Sequence, residues 1–429
     1  MKKIIIKLKD RQFSIDDALL FFVKPLFVIF IYYGMFSRFS GFLGLSGGIT
    51  AALASVCLFG IAAIHFLVFK ERPLLSPLAS IIMAFFIIVA LFPLMSSFIY
   101  NMGISHIFRF TSEIVITFLI FISIYYFIRE GILTPKFFLY SIAILGTIAS
   151  YELIINVLNT DNLRRVRGLG GLNYIGNTFA VSSVSYIVIL YATDHKSWKK
   201  IGLYFGLIVV FMTMIFTGTR AAVISFVAGV MLFQIFGMKS RKFKLYVFLF
   251  GLMLMIPIFI LASNIDMSLL LGRYSYEELE SMAFIRFNIY YSAVADMSFI
   301  EFIFGRADLS AIDDSLSSEL SNRYLNPHNV FLSLIRFNGI LSFILFFGIW
   351  IILYSIYFKI YFARKDKPQI RVMEATIIIF LTMSFINVMF SGGKFTRNFY
   401  MYIAIGYAVG YYDLIKFIKS PKEYLKLIL

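Results

Sequence analysis

Residues 321–339, which read SNRYLNPHNVFLSLIRFNG, join the longest polar segment of the chain to an apolar run that reaches about Tyr357. Asn326 is placed to cap a helix, and Pro327 suits the first helical position. His328 would then lie in the first turn, where the partial positive charge of the helix end lowers the pKa of an imidazole. The stretch therefore predicts a neutral histidine that can act as a general base beside a membrane. The alternative is that these residues only start a transmembrane helix.

The composition is typical of a helical membrane protein. Of the 429 residues, 60% are hydrophobic, 18% are aromatic and only 14% are charged, which is more apolar surface than one soluble core can bury. Most of the apolar runs are long enough to cross a hydrocarbon layer of about 30 Å. We therefore predict an all-α polytopic membrane protein with about twelve transmembrane helices, at residues 18–36, 45–69, 78–99, 110–128, 138–158, 173–193, 201–217, 221–237, 245–262, 329–357, 372–391 and 398–415.

The positions of Lys and Arg set the expected orientation. If both termini are cytoplasmic, 25 of the 39 basic residues fall on the inner side, including those of the N-terminal segment at 1–17, which we expect to lie on the inner surface and not to be a cleaved signal. Nineteen of these 25 are Lys, whereas twelve of the other 14 are Arg, a planar donor that suits phosphate or carboxylate groups. The net charge of +16 therefore reflects topology, and no basic-aromatic module indicates nucleic-acid binding.

Two short motifs place arginine on the predicted outer side. The loop at 159–172 carries Arg164, Arg165 and Arg167 just before Gly168–Gly171, against the orientation rule. Because glycine lets a backbone approach a ligand closely, this loop is a candidate binding element, and a flexible hairpin with solvated charge is the alternative. In the tight turn at 217–222, TGTRAA, Arg220 opens the next helix between two apolar runs. Arg220 is therefore our first candidate for holding a diphosphate.

The longest loop runs from Asn264 to Pro327, between predicted helices 9 and 10 of a single membrane domain that covers residues 1–429. Ser275–Glu278 fits a capping box for an amphipathic helix near residues 275–297, in which Arg286 and Tyr290 share one face at i and i+4. This partly apolar helix is expected to lie across the mouth of the bundle. No spacing of His and carboxylate residues resembles a metal site, so we expect a mechanism without metal or cofactor.

A few polar or reactive side chains fall within or beside the apolar runs: Lys24, Cys57, His65, Glu113 and Glu152. Ionisable groups in such places are usually paired or face a polar cavity. We interpret the two glutamates as counter-charges to outer arginines. Cys57 is the only cysteine, so it forms no intrachain disulfide, and we expect it to pack.

The order of these motifs resembles that of bacterial O-antigen polymerases and the related O-antigen ligases. The resemblance rests on Gly-Thr-Arg-Ala-Ala at 218–222, the Arg286 helix in a long outer loop, and Pro-His-Asn-Val-Phe-Leu at 327–332 followed by Phe-Asn-Gly at 337–339. It implies a C-type membrane glycosyltransferase in which Arg220 and Arg286 bind a lipid-linked pyrophosphate and His328 takes part in catalysis. One departure is Gly305-Arg306-Ala307, where relatives often have a Gly-x-Gly turn.

Together, the residues and the resemblance predict a polymerase that joins polyprenyl-pyrophosphate-linked oligosaccharide repeat units on the periplasmic face of a bacterial inner membrane. The transfer would be inverting, with His328 as catalytic base. The expected pyrophosphate- or glycan-binding residues are Arg220, Arg286, Arg164, Arg165, Arg167, Asn329 and Tyr290. Expected partners are the lipid-linked glycan, the bilayer and a chain-length regulator protein. The alternative is a ligase that transfers glycan to lipid A core, and a glycan flippase is less favoured because no internal repeat is evident.

Overall fold

The protein is built almost entirely from helices. The computed structural model describes residues 5–8, 11–36, 47–69, 75–99, 104–159, 172–192, 197–217, 219–237, 291, 294–295, 297–305, 329–363, 368–390 and 399–417. Its α-helices are α1 (Ile15–Ile31), α2 (Gly47–Phe69), α3 (Pro77–Ile99), α4 (Ile104–Arg129), α5 (Pro135–Asn159), α6 (Leu172–Ala192), α7 (Ser197–Phe216), α8 (Arg220–Leu232), α9 (Phe299–Phe304), α10 (Val330–Ala363), α11 (Pro368–Phe390) and α12 (Phe399–Phe417). Single π-helical turns extend α1 to Phe36 and α8 to Gly237.

Eleven of these twelve helices coincide with predicted apolar runs. In a bilayer the backbone must form its own hydrogen bonds, and a continuous apolar run does so as a helix. The remaining run, 245–262, lies outside the described residues. Six helices in the described ranges are long and apolar enough to cross a membrane, with spans at Gly48–Val68, Pro135–Ile155, Ile175–Ala192, Ser197–Phe216, Val330–Ala363 and Val372–Met389. By length and composition the chain is a multi-pass helical membrane protein. About twelve spans were predicted, and six helices in the described ranges meet the criterion of length and apolar character.

The N-terminal segment adds a short β-hairpin to the otherwise helical fold. Ile5–Leu8 (β1) and Arg11–Ser14 (β2) pair in an antiparallel ladder, with Ile5 opposite Ser14 and Leu8 opposite Arg11. β-Branched residues favour strands, and this segment has consecutive isoleucines at its start. Helix α1 begins directly after this hairpin, at Ile15.

Helices α4 and α12 pack closely against each other. Gly406 and Gly410, one turn apart on α12, face the carbonyl oxygens of Phe121 and Tyr125, and a Cβ built at Gly410 would lie 2.7 Å from the latter. Small residues let membrane helices approach closely, which strengthens dispersion contacts where lipid offers no hydrophobic drive. Tyr125 also donates a hydrogen bond of 3.0 Å to the buried carboxylate of Asp413 on α12.

A polar cluster lies at the C-terminal end of α4, around Tyr125 and Arg129. The Arg129 guanidinium donates to Glu130 Oε1 at 2.8 Å and to Tyr125 Oη at 3.3 Å. His65 Nδ1 lies 2.6 Å from Tyr126 Oη, so the histidine predicted inside an apolar run is hydrogen-bonded between α2 and α4. This cluster ties three helices together at the end of the bundle remote from the motifs described below.

Helix α10 is two helical segments folded into a hairpin. Gly339 has φ 80° and ψ 165°, which interrupts the helix. On a straight helix Phe331 and Phe347 would be about 24 Å apart along the axis, yet their ring centroids are 6.1 Å apart. Phe331 also lies 5.8 Å from the rings of both Phe343 and Phe346. The segment Val330–Asn338 therefore doubles back along Ile340–Ala363, which at about 36 Å is long enough to span a membrane without it.

Candidate active site

The turn before Arg220 rests directly on α6. A Cβ built at Gly176 would lie 2.7 Å from both Cβ and Oγ1 of Thr219 and 2.8 Å from Thr217 Oγ1. Both threonines are buried, and Thr217 donates to the Met214 carbonyl at 2.6 Å. The Thr219 carbonyl accepts from the backbone N–H of Ala222 at 3.1 Å, which starts α8. The absence of a side chain at Gly176 therefore sets the position of the turn from which Arg220 extends.

The start of α6 also contacts the end of α11. Asn177 Nδ2 donates a hydrogen bond of 3.3 Å to Asn387 Oδ1, and both side chains are buried. Asn177 lies near the start of α6 at Leu172, and Asn387 lies near the end of α11 at Phe390. We call the end of the bundle at which α6 and α8 begin and α11 ends the motif end.

The start of α10 lies beside α11, slightly below the motif end. The rings of Phe331 and Phe385 are 5.3 Å apart. Asn329 Oδ1 accepts hydrogen bonds from the backbone N–H groups of Phe331 at 2.9 Å and Leu332 at 3.2 Å, so Asn329 is the N-cap. The prediction that Asn326 caps this helix is therefore wrong. Because the helix begins at Val330, His328 precedes the cap instead of lying in the first turn, and the first-turn argument for a lowered imidazole pKa does not hold.

A short helix that the sequence analysis missed packs against the hairpin. Ser298 and Glu301 form a capping box, with Ser298 N–H donating to Glu301 Oε2 at 2.8 Å and Glu301 N–H donating to Ser298 Oγ at 3.3 Å. The helix α9 that they start ends at Gly305, which has φ 82°. A Cβ at Gly305 would lie 2.5 Å from the backbone nitrogen of Asn338, and a Cβ at Gly339 would overlap the carbonyl oxygen of Ile303. The two backbones are thus in direct contact where α10 turns.

These contacts bring the starts of α6, α8 and α10 to one region. The N-terminal turn of a helix carries about half a positive elementary charge and backbone N–H groups without helical partners. Such ends stabilise phosphate groups. The chain reaches α6 directly after the segment that holds Arg164, Arg165 and Arg167, begins α8 with Arg220 itself, and reaches the α10 cap directly after His328. The motif end therefore holds helix starts that favour anionic groups, and basic residues are close to these starts in the sequence.

Several predicted site residues lie outside the described part of the chain: Arg164, Arg165, Arg167, Arg286, Tyr290 and His328. Most of the predicted loop at 264–327 and of its helix near 275–297 is also outside it. For Arg220 the structure describes the backbone, as the first residue of α8, and not the side chain. Asn329 is 8% exposed, and its side-chain oxygen is used in the cap.

The predicted counter-charge at Glu152 has a described partner of another kind. Glu152 Oε2 accepts a hydrogen bond of 2.5 Å from Tyr32 Oη, which joins α5 to the π-helical turn after α1. The Glu113 side chain lies outside the described residues, so its role as a counter-charge stays a prediction. Among the described residues, no three His, Cys, Asp or Glu side chains are grouped as metal ligands would be.

Comparison with known proteins identifies one segment. Residues 205–347, about a third of the chain, match the sequence model of the O-antigen ligase family. This segment is O-antigen ligase-like. It contains the turn before Arg220, all of α8 and α9, and the first part of α10, from Val330 past the apex at Gly339 to residue 347. The match confirms the resemblance to the O-antigen polymerase and ligase family, whereas no curated protein matches the chain.

Three groups that shape the site were not found from the sequence. Gly176 and Asn387 lie in apolar runs whose pattern does not reveal their partners on other helices. The capping box Ser298–Glu301, by contrast, has the same spacing as the one predicted at Ser275–Glu278 and was available as a signal. The hairpin of α10 had a weaker signal in the sequence. Asn338-Gly339 is a common turn dipeptide, but here it lies inside a helical pattern of apolar residues.

Proposed function

We propose that the protein is a glycosyltransferase that acts at the motif end on polyprenyl-pyrophosphate-linked glycans, and that it polymerises oligosaccharide repeat units. The observation that carries this proposal is that the starts of α6, α8 and α10 lie in one region. In the sequence these starts are close to the Arg164–Arg167 segment, Arg220 and His328. The starts of two of these helices, α8 and α10, lie within the O-antigen ligase-like segment. The described contacts bring these helix starts together, and helix starts favour anionic groups such as a pyrophosphate.

The proposed reaction is a single displacement at the anomeric carbon of the donor sugar. An acceptor hydroxyl loses its proton to the His328 imidazole, and its oxygen forms the new glycosidic bond. The bond between the anomeric carbon and the pyrophosphate oxygen breaks, and its electron pair leaves with the polyprenyl pyrophosphate. Attack from the face opposite the leaving group inverts the anomeric configuration.

Arginine side chains would stabilise the negative charge that develops on the leaving pyrophosphate. Fixed donors aimed at developing charge are usually the largest electrostatic contribution to such a reaction. Arg220 extends from a turn whose position is fixed by Gly176 and two buried threonines. Arg286 is proposed as the second pyrophosphate ligand, and Arg164, Arg165 and Arg167 as further ligands. Tyr290 and Asn329 are proposed to contact the glycan, in the case of Asn329 through atoms other than the capping oxygen.

The polymerase is tested by adding purified protein in detergent to lipid-linked repeat units. A ladder of products, each longer by one repeat, is the expected result, and the anomeric configuration of the new linkage should be inverted relative to the donor. If no new glycosidic bond forms with either a second repeat unit or lipid A core as acceptor, glycosyl transfer is refuted. Movement of the lipid-linked glycan across vesicle membranes without a new bond would then indicate a flippase.

A ligase is the second candidate, and the family match favours it by its description. A ligase would use the same donor site and release the same leaving group as the polymerase, but its acceptor would be lipid A core. Transfer of single or preformed glycans to lipid A core, without ladder formation on the lipid carrier, identifies this activity in the same assay.

The location of the motif end follows from the proposed substrate. We place it on the periplasmic side of a bacterial inner membrane, with both chain termini in the cytoplasm and a chain-length regulator protein as a partner within the bilayer. In a Cys57→Ser background, a cysteine at Ser391, directly after α11, should react with an impermeant maleimide in intact spheroplasts. A cysteine at Lys365, between α10 and α11, should react only after permeabilisation, and the reverse pattern would refute the orientation.

A further inference from the structure

We propose that Gly305 and Gly339 form a latch that holds α9, which lies within the long loop, against the hairpin of α10 and thereby positions the start of that helix. The latch is the contact between Ile303–Gly305 and Phe337–Gly339. Both residues are positioning residues in this proposal, because they act through the chain that leads to Asn329. The effect on turnover rests on the proposed function, whereas the contact itself does not.

The geometry requires glycine at each position for two separate reasons. Gly305 and Gly339 have φ values of 82° and 80°, a region that L side chains rarely adopt. A Cβ at Gly305 would overlap the Phe337 carbonyl group, and a Cβ at Gly339 would overlap the Ile303 carbonyl oxygen. Each glycine therefore makes room for the backbone that carries the other. Because the obstacle is backbone and not the end of a flexible side chain, neither contact can adjust by a rotamer change.

The short arm of the hairpin depends on contacts of this kind. Val330–Asn338 is about 13 Å long, and isolated helices shorter than about 12 residues are marginal in water. Its apex is fixed by Asn338 Nδ2, which donates to the Val89 carbonyl on α3 at 3.0 Å, and by Ser342 Oγ, which donates to the Asn338 carbonyl at 2.8 Å. Loss of the latch frees this apex on the side of α9. The arm can then tilt, and the cap at Asn329 moves with it.

Helix α9 is suited to transmit the position of the loop. Its capping box satisfies its own first N–H groups, and Gly305 N–H donates to the Glu301 carbonyl at 2.8 Å to close the other end. Glu301 is buried, whereas Phe299 is 77% exposed. One face of this short helix thus packs on α3 and α10. We infer that the loop which precedes α9 is coupled through it to the residue next to His328.

The test compares Gly305→Ala and Gly339→Ala with Gly348→Ala as the matched control. Gly348 lies on α10 as well, but a Cβ there would meet no heavy atom within 4 Å. Hydrogen exchange measured by mass spectrometry on the full-length protein in detergent, without substrate, reports the latch directly. Both latch variants should exchange faster than wild type in residues 297–305 and 330–340, and the control should not.

Turnover with lipid-linked repeat units reports the positioning role. A misplacement of about 1 Å away from the chemistry can cost about 10²-fold in rate, so we expect kcat to fall by about that factor in each variant while KM for the donor is unchanged. Because both substitutions break one contact, the double variant should be no slower than the slower single variant.

Each result supports or overturns one part of the proposal. Unchanged exchange in both variants overturns the latch, and faster exchange with unchanged kcat overturns its positioning role. If the wild-type protein forms no glycosidic bond, the proposed function fails, but the exchange measurement still decides the latch. Should both variants fail to accumulate, Ser298→Ala removes the α9 cap and leaves the glycines intact. It should raise exchange in the same two segments, and unchanged exchange there would overturn the latch.

Discussion

Replacing Gly176 with alanine is expected to displace the turn that carries Arg220. Carbon atoms attract best at about 3.5–4.0 Å. The added Cβ would lie only 2.7 Å from Cβ and Oγ1 of Thr219, so the turn or α6 must move by about 0.8 Å to restore contact. A shift of about 1 Å in a substrate-positioning group can cost about 10²-fold, and we expect kcat to fall by about that factor. The donor KM should rise as well if Arg220 binds the pyrophosphate.

Stability should change much less than activity. Overpacking typically costs about 1–3 kcal/mol, whereas replacing glycine by alanine inside a helix returns up to about 1 kcal/mol. The net loss of unfolding free energy is therefore expected to be below about 2 kcal/mol, small enough for the variant to accumulate.

The assay is the initial rate of glycan laddering by purified protein, with thermal unfolding followed in the same detergent. Gly202→Ala is the control, because a Cβ at Gly202 on α7 meets no heavy atom within 4 Å. Adding Thr219→Gly to the Gly176→Ala variant removes two of the three obstructing atoms and leaves Thr217 Oγ1 at 2.8 Å, so it should restore part of the rate. Wild-type activity in Gly176→Ala, or no recovery in the double variant, would show that this contact does not set the position of Arg220.

Four further substitutions test the site. Arg220→Lys should lose most activity although the charge is kept, because lysine lacks a bidentate fork, and full activity in this variant would contradict the assignment. Arg286→Ala should weaken donor binding without lowering expression; a variant that fails to accumulate would indicate a structural role. His328→Gln should lower kcat by about two to four orders of magnitude with donor binding nearly unchanged, as loss of a general base does, and a near wild-type rate would make the imidazole a positioning group. Asn329→Ala should lower the unfolding free energy by about 1 kcal/mol through loss of the cap, whereas Asn326→Ala should not, and equal losses would contradict the observed cap.

The sequence predicts the helices well because each apolar run contains its own signal. The bounds predicted for α2 and α3 differ from the observed ones by two residues or fewer at each end. A continuous apolar segment has one stable backbone form in a bilayer, so no knowledge of its neighbours is needed. The N-terminal hairpin was missed because residues 1–17 were interpreted as a segment on the inner surface. The β-branched residues of Ile5–Leu8, which favour a strand, were not considered.

The site is less predictable because its geometry depends on pairs of residues far apart in the sequence. Arg220 and the 159–172 loop were each singled out by composition, but the start of α8 is brought to the start of α6 by Gly176 and Thr219, which have no local signature. The N-cap prediction was local, yet it named Asn326, whereas Asn329 caps α10. Pro327 favours a helix start at that point, but the buried apolar segment begins at Val330, and packing of that segment determines where the helix starts.

Because α10 doubles back, its first residues lie beneath the end of the bundle and not on its surface. Phe331 touches Phe385, about 8 Å before α11 ends at Phe390. Under the proposed function, a hydroxyl delivered to that depth competes with few water molecules, which would otherwise cleave the activated donor and release free sugar. Each hydrolysed donor would release its repeat unit as free glycan and leave the lipid carrier without a glycan to transfer. A helix that starts where few water molecules reach thus favours glycosidic bond formation over hydrolysis of the donor.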